Sequence, residues 1–354
     1  MITSTQIEMA LSHVNDPDLG QSLTSLGMID NIKIYGKKVM FDLVLTTPAC
    51  PMKKRMSDDC IQAIHEYVDH EAEVEINLTS RHPQHKAEEP DLSNIKNTIL
   101  VASGKGGVGK STVAVNLAIS LAKTGAKVGL IDADIYGPSI PIMFNVTGED
   151  VYGHRVGEKT YMLPIEKYGI KLMSIGFLVD PEKAMAWRGP MASNTLKQLI
   201  TETWWDDIDY LVVDMPPGTG DIQLTLAQVL PVTGAIIVST PQQVALADVV
   251  RGVQLFRAEG INIPVLGFVE NMAYFTPAEL PQNKYYIFGK HGCYHLANEM
   301  GIPLLAEIPL VQSIAEGGDS GIPVALTSDK PTIESEAFDQ LAMNTIKEIC
   351  KLKQ

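Results

Sequence analysis

Gly104-Lys105-Gly106-Gly107-Val108-Gly109-Lys110-Ser111 fits the pattern G-x-x-x-x-G-K-[ST], in which a glycine-rich turn wraps its backbone N–H groups around phosphate oxygens. Its surroundings suit that reading. The apolar run Thr98-Ile99-Leu100-Val101-Ala102 precedes it, and a helical stretch from Thr112 to Lys123 follows. A helix N-terminus adds favourable partial charge for an anion. Lys110 is then expected to bridge the terminal phosphates of ATP, with the Ser111 hydroxyl on Mg²⁺ and Gly104 through Thr112 forming the nucleotide cradle. A glycine-rich turn without a ligand is the alternative, and the flanking strand and helix disfavour it.

Outward from this loop, apolar runs alternate with helical segments. Val128 to Asp132, Ile170 to Ile175, Tyr210 to Asp214, Gly234 to Ser239, Val265 to Glu270 and Leu304 to Ile308 read as further strands. Several are unbroken Val/Ile/Leu runs, as expected of strands covered on both faces in a parallel sheet. The fold class is therefore α/β: a doubly wound, mostly parallel sheet of the P-loop type, preceded by a small α/β module. Carboxylates at strand ends face the nucleotide crevice of such a sheet. Asp132 and Asp214 are candidates for holding hydrated Mg²⁺ together with Ser111, and Asp134 for orienting an attacking water. Either aspartate alone could instead cap a helix. Three elements in the expected order favour the site.

Lys105, directly after the first glycine, resembles the deviant phosphate loop of the MinD/ParA/nitrogenase-iron-protein class. That resemblance implies a homodimer in which Lys105 reaches the nucleotide of the facing subunit. With Lys110 and Asp134 it completes the expected catalytic set. The stretches Asp132 to Pro141, Trp187 to Met191, Asp214 to Asp221, Val269 to Met272 and Ile308 to Leu310 resemble more narrowly the Mrp/ApbC family of ATP-dependent iron–sulfur cluster carriers. The likeness covers about residues 95 to 350. It implies that Asn271 and the Pro309 region contact adenine, that Pro216 to Asp221 form a phosphate-sensing loop, and that the partners are apoproteins or iron–sulfur assembly proteins.

Residues 1–80 read as the small module, 81–96 as a linker, and 97–354 as the ATPase domain. Ser4 to Val14 has helical spacing. Ile29 to Tyr35 and Val39 to Leu45 flank a hairpin turn at Gly36-Lys37. A helix from about Met52 to Val68 and a strand at Val74 to Leu78 complete the module. It resembles the PaaD/SufT-like modules fused to such ATPases through Thr46-Thr47-Pro48-Ala49-Cys50-Pro51, where Cys50 opens a helix. A thiol so placed can be activated as a thiolate, or can simply be buried. The linker holds His82 and His85 in a polar, Pro-containing tether, where a histidine pair is ordinarily solvated.

A net charge of −14 disfavours nucleic-acid backbones and anionic membranes as partners. No apolar run approaches the ~18 residues needed to span a bilayer, and no secretory leader is visible, so the expected location is cytoplasmic. The C-terminal stripe Phe338, Leu341, Ala342, Ile346 and Ile349 reads as a helix face packed on the core.

Four cysteines (Cys50, Cys60, Cys293, Cys350) suit a reducing compartment. The family's usual Cys-x-x-Cys pair after the Asn-Met motif, which would share a [4Fe–4S] cluster between subunits, is absent. Here that stretch reads Asn271 to Leu280 without cysteine. Cys293, with Glu279 or His291, is a candidate for a weaker site, or else packs at a helix start. Cys50 is the other candidate. Two functions follow: an ATP-hydrolysing cluster carrier, or a MinD/ParA-like dimerisation switch that regulates a partner, around Phe275 to Tyr286, without a cluster.

Overall fold

The computed structural model describes residues 2–15, 21–45, 53–80, 92–156, 159–178, 189–218, 220–277, 279–280, 282–326 and 330–353. The chain divides into one unit of residues 1–83 with 350–354 and a second of residues 84–349.

In the first unit the order is α1 (Ser4–Leu11), β1 (Ile29–Tyr35), β2 (Lys38–Leu45), α2 (Lys53–Tyr67) and β3 (Glu73–Ser80). Thr3 and Gln6 form a reciprocal capping box that starts α1. The helix ends at Leu11, short of the expected Val14, because His13 and Val14 bond back only three residues, to Ala10 and Leu11. Gly36, with φ +66°, makes the tight turn that joins β1 to β2 in antiparallel register, and β3 then adds parallel to β2. Ile7, Leu11, Leu23, Phe41, Leu43, Met56, Cys60 and Ile64 are buried together as the core of this unit.

The second unit is built on β4 (Thr98–Ala102), α3 (Lys110–Lys123), β5 (Val128–Asp132), α4 (Ile140–Met143), β6 (Gly153–Val156), β7 (Lys159–Met162), β8 (Ile165–Lys167) and β9 (Ile170–Ser174). It continues through α5 (Gly189–Thr201), β10 (Tyr210–Asp214), α6 (Asp221–Val229), β11 (Val232–Ser239), α7 (Gln243–Arg257), β12 (Val265–Glu270), α8 (Gly292–Met300), β13 (Leu304–Glu307), α9 (Gln312–Ser320) and α10 (Ile333–Leu352). The main sheet runs β13-β12-β11-β4-β10-β5-β9-β8, parallel except for β8, which turns back against β9. Strands β4, β5 and β10 are buried at every residue, as their unbroken apolar sequences require.

The chain crosses from β4 to β5 on one side and from β10 to β11 on the other, so the crevice of the sheet opens at the carboxyl ends of β4 and β10. Parallel pairing sets Asp214 beside Asp132 across β10 and β5, and Glu270 beside Glu307 across β12 and β13. The expected strand at Ile170 to Ile175 stops at Ser174, whose hydroxyl accepts from the Gly176 N–H and opens a short 3₁₀ turn. Phe338, Leu341, Ala342, Ile346 and Ile349 of α10 are fully buried, and Asp339 takes Lys123 and Ser120 of α3. The apolar stripe of the last helix therefore belongs to the core.

Candidate functional site

The phosphate loop joins β4 to α3 through two left-handed glycines, Gly107 (φ +78°) and Gly109 (φ +81°). A Cβ on Gly109 would lie 2.1 Å from Asn271 Nδ2, and one on Gly104 would lie 2.4 Å from the Asp248 carbonyl oxygen. Both positions need the bare backbone, because α7 and the end of β12 press directly on the loop. The Asn271 amide donates to the Val108 carbonyl at 2.8 Å. Asn271 is thus a brace for the loop, a role that the strand-end sequence did not show.

Beside the loop, Lys110 Nζ lies 2.6 Å from Asp214 Oδ1 and 3.6 Å from Asp134 Oδ2. Asp214 is wholly buried, and its second oxygen has no hydrogen-bond donor. Burial raises the Asp214 carboxyl above the usual range, opposed by the Lys110 ammonium. Asp132 is also wholly buried. Burial first, and the neighbouring Asp214 second, push it up to about 7. Its Oδ1 accepts from the Asp134 N–H at 3.2 Å, and its Oδ2 from the Ile140 N–H at 3.1 Å and the Ser174 hydroxyl at 3.0 Å. Asp132 therefore organises the turn that carries Asp134. Lys105 is exposed at the rim of the loop and has no ion-pair partner among the described residues.

Asp134 and Asp214 share the one Lys110 ammonium, and Asp132 lies beside Asp214, so acidic groups outnumber cations here. Asp214, with its orphaned Oδ2, is paired in register with Asp132 and shares Lys110 with the Ser111 hydroxyl. That donor set fits a hard, oxygen-seeking divalent cation such as Mg²⁺.

A cavity of about 320 Å³ opens next to the loop, lined by Thr112, Ile142, Asn271, Pro309 and Ile314 among others. It brings Asn271 and Pro309 together, and it is largely apolar, as a pocket for a flat heterocycle is. The loop after β10 is held by Gln223 of α6. Its amide donates to the Pro216 and Pro217 carbonyls at 3.1 and 2.9 Å, while its oxygen accepts the Gly220 N–H at 2.7 Å. Gln223 was missed in the sequence. A Gly followed three residues later by Gln, the spacing at which an N3 Gln reaches back to the N-cap N–H, is the signal the sequence offered for it.

Cys293 opens α8 and is fully buried, its thiol raised by burial and by Glu270. Cys60 is likewise buried, with its thiol pushed up to about 12. Of the two alternatives expected beside Cys293, His291 groups with Glu270 and Glu307, and Glu279 is not part of that group. Cys50, Trp187 and Arg188 lie outside the described residues.

Residues 94–346 match the family described as NUBPL iron-transfer P-loop NTPase. The chain belongs to this family. Residues 4–78 of this iron-transfer P-loop NTPase also match a family described as iron–sulfur cluster assembly protein. It is 46% identical over 329 residues to the iron–sulfur cluster carrier protein of Synechocystis sp., covering 92% of each chain. It is 49% identical over 274 residues to that of Pseudomonas fragi, covering 77% of this chain and 93% of the relative. Among solved structures it resembles a nucleotide-binding protein from Archaeoglobus fulgidus in complex with ADP, at 37% identity and a TM-score of 0.58, covering 69% of this chain and 95% of that one. The cell division ATPase MinD of Pyrococcus furiosus shares the fold at 21% identity and a TM-score of 0.51, covering 71% and 98% of the two chains. Among the described residues no helix is long and apolar enough to cross a membrane.

Proposed function

We propose that this chain is an ATP-hydrolysing, Mg²⁺-dependent carrier that passes iron–sulfur clusters to apoproteins. In this reading residues 97–354 work as a homodimeric ATPase, tethered through 81–96 to the module of residues 1–80. The observation that carries the ATPase half is the buried Lys110–Asp214 pair with Asp132 and Asp134 around it, at the crevice end of the sheet.

In the proposed cycle the base enters the cavity by Asn271 and Pro309, and Gly104 to Thr112 wrap the phosphates. Lys110 then leaves Asp214 for the terminal phosphates. Ser111, Asp132 and the freed Asp214 would hold hydrated Mg²⁺, with Asp132 itself kept in place by three donors. The bound ion supplies charge neutralisation for the β- and γ-phosphates. Asp134, held by its own N–H on Asp132, orients the attacking water. Lys105, exposed at the rim, reaches the partner subunit's nucleotide and offsets charge that develops on the transferred phosphoryl group. Gln223 links the loop after β10 to α6, which gives hydrolysis a route to the rest of the molecule.

The cluster is cargo. Ligating a cluster needs accessible, ionisable cysteines, and Cys60 and Cys293 are buried, with their thiols raised by that burial. Cys50 is the cysteine that best suits the role. Anaerobic loading with iron and sulfide, read as iron per dimer and visible absorbance, tests this in wild type, Cys50→Ala and Cys293→Ala. Uptake that is lost with Cys50→Ala and kept with Cys293→Ala is expected. No uptake by wild type would leave the dimerisation switch as the better reading. Lys110→Ala and Asp134→Ala should each abolish phosphate release, and normal turnover in either would remove the site assignment.

A further inference from the structure

The carboxyl ends of β12 and β13 carry a second acidic pair, Glu270 buried and Glu307 half-buried, that the ATPase reading does not use. Register places Glu270 against Glu307. Glu270 is fully buried; its Oε2 accepts the Cys293 N–H at 2.5 Å, and its Oε1 is buried with no hydrogen-bond partner. His291, the residue before α8, lies with Nδ1 3.0 Å from Glu307 Oε1. One donor atom from each of the three side chains falls within 4.8 Å of the others.

We infer that Glu270, His291 and Glu307 form a mononuclear site for a divalent transition-metal ion of the zinc or ferrous class. Three observations converge. The ligands are one imidazole and two carboxylates, a set suited to borderline ions. Bonds of roughly 2.0–2.2 Å put neighbouring tetrahedral ligands roughly 3.3–3.6 Å apart, and the His291–Glu307 edge is already 3.0 Å. Charge is the third. No Lys or Arg among the described residues pairs with Glu270 or Glu307, whereas the Asp132–Asp214 pair has the Lys110 ammonium. A divalent ion would neutralise the two carboxylates and occupy the open Glu270 oxygen.

Local sequence builds the site. His291 takes a left-handed backbone (φ +56°), which histidine adopts more readily than most residues. Gly292 follows because a Cβ there would lie 2.2 Å from the Pro241 carbonyl oxygen. That close approach seats α8 so that its Cys293 N–H fixes Glu270. An ion on His291 Nδ1 would take the place of its hydrogen bond with Glu307, and any proton on that nitrogen would leave to solvent or move to the far ring nitrogen.

None of the three proposed ligands is a cysteine and no nucleotide takes part, so the inference does not rest on the carrier reading. The test uses full-length, chelator-stripped, nucleotide-free protein. It is titrated with Co²⁺ by visible absorption and with Zn²⁺ by equilibrium dialysis, in wild type, Glu307→Gln and His291→Gly. Glycine accepts the left-handed backbone, and thermal melts check that each variant folds. Wild type should bind one ion per chain with weak d–d bands, and each variant should bind at least about tenfold more weakly. Equal affinity in folded variants, no binding by wild type, or a spectrum dominated by sulfur-to-cobalt charge transfer would overturn the site.

Discussion

Asp132→Asn should stabilise the nucleotide-free protein at pH 8 and not at pH 5. Asp132 is wholly buried beside Asp214, and its carboxyl is pushed up to about 7. In the unfolded chain it returns to about 3.9. Between these values the native protein holds a proton that the unfolded chain has released. Wild-type stability therefore falls as pH rises from about 4 to about 7, and the full penalty is present above 7. At about 1.36 kcal/mol for each of some three pKa units, that penalty is roughly 4 kcal/mol at pH 8 and about 1.5 kcal/mol at pH 5.

The amide has its own cost. Its oxygen can serve Ile140 and Ser174, but its NH₂ then faces the Asp134 N–H, and one lost buried hydrogen bond costs roughly 1–3 kcal/mol. The net expectation is a gain of ~1–3 kcal/mol at pH 8 and no gain, or a loss, at pH 5. The swing between the two pH values, roughly 2–3 kcal/mol, does not depend on the hydrogen-bond cost. Urea unfolding followed by tryptophan fluorescence reads it, because Trp187, Trp204 and Trp205 all belong to the unit of residues 84–349. Chelator keeps metal out. A stability difference that is the same at both pH values would refute the charge-crowding argument.

The remaining expectations concern the loop and its neighbours. Gly109→Ala adds a Cβ 2.1 Å from Asn271 Nδ2 at φ +81°, so ADP affinity by calorimetry should drop by about tenfold or more, a barrier of only ~1.4 kcal/mol; an unchanged Kd would contradict the packing. Gln223→Ala removes the clamp on Pro216, Pro217 and Gly220. Turnover should fall by roughly tenfold, in line with ~1–3 kcal/mol for a broken buried network, while ADP still binds; normal kcat would separate the loop from hydrolysis. Lys105→Ala should keep nucleotide binding and lose ATP-dependent dimerisation in sedimentation velocity, and a normal ATP dimer would remove the role in trans.

Much of this was readable because the decisive signals are local. The phosphate loop, its strand and its helix are contiguous, and the buried runs at Val128 to Asp132 and Tyr210 to Asp214 end where the sequence says they end. What escaped depends on register or on contact between distant segments. The short β6–β7 hairpin and the edge strand β8 are small and mostly polar, so they carry no strong period. Asn271 reached the candidate list as a base contact through family likeness. Its bond to Val108 exists only because β12 ends beside the loop. Glu279 and His291 were alternatives beside Cys293 in a weaker site, whereas the fold groups His291 with Glu270 and Glu307.

The two acidic pairs share one geometric cause and differ in its resolution. Parallel strands in matched register end side by side, so acidic residues at corresponding ends are forced together: Asp132 with Asp214, Glu270 with Glu307. Bringing two like charges together with one or both of them buried is costly unless a cation or a proton intervenes. Both aspartates are buried; of the glutamates, Glu270 is buried and Glu307 half-buried. For the aspartates the intrachain answer is Lys110; in the proposed cycle its departure to a phosphate would reopen a demand that Mg²⁺ would meet. For the glutamates the only basic partner within the cluster is His291, half-exposed and bonded to Glu307 alone, and Glu270 keeps an unanswered oxygen. A pair built solely for packing would gain from replacing either glutamate by glutamine. If the ion is what the pair is for, Glu307→Gln should instead cost metal affinity while raising metal-free stability, and that opposition of signs separates a binding site from a structural accident.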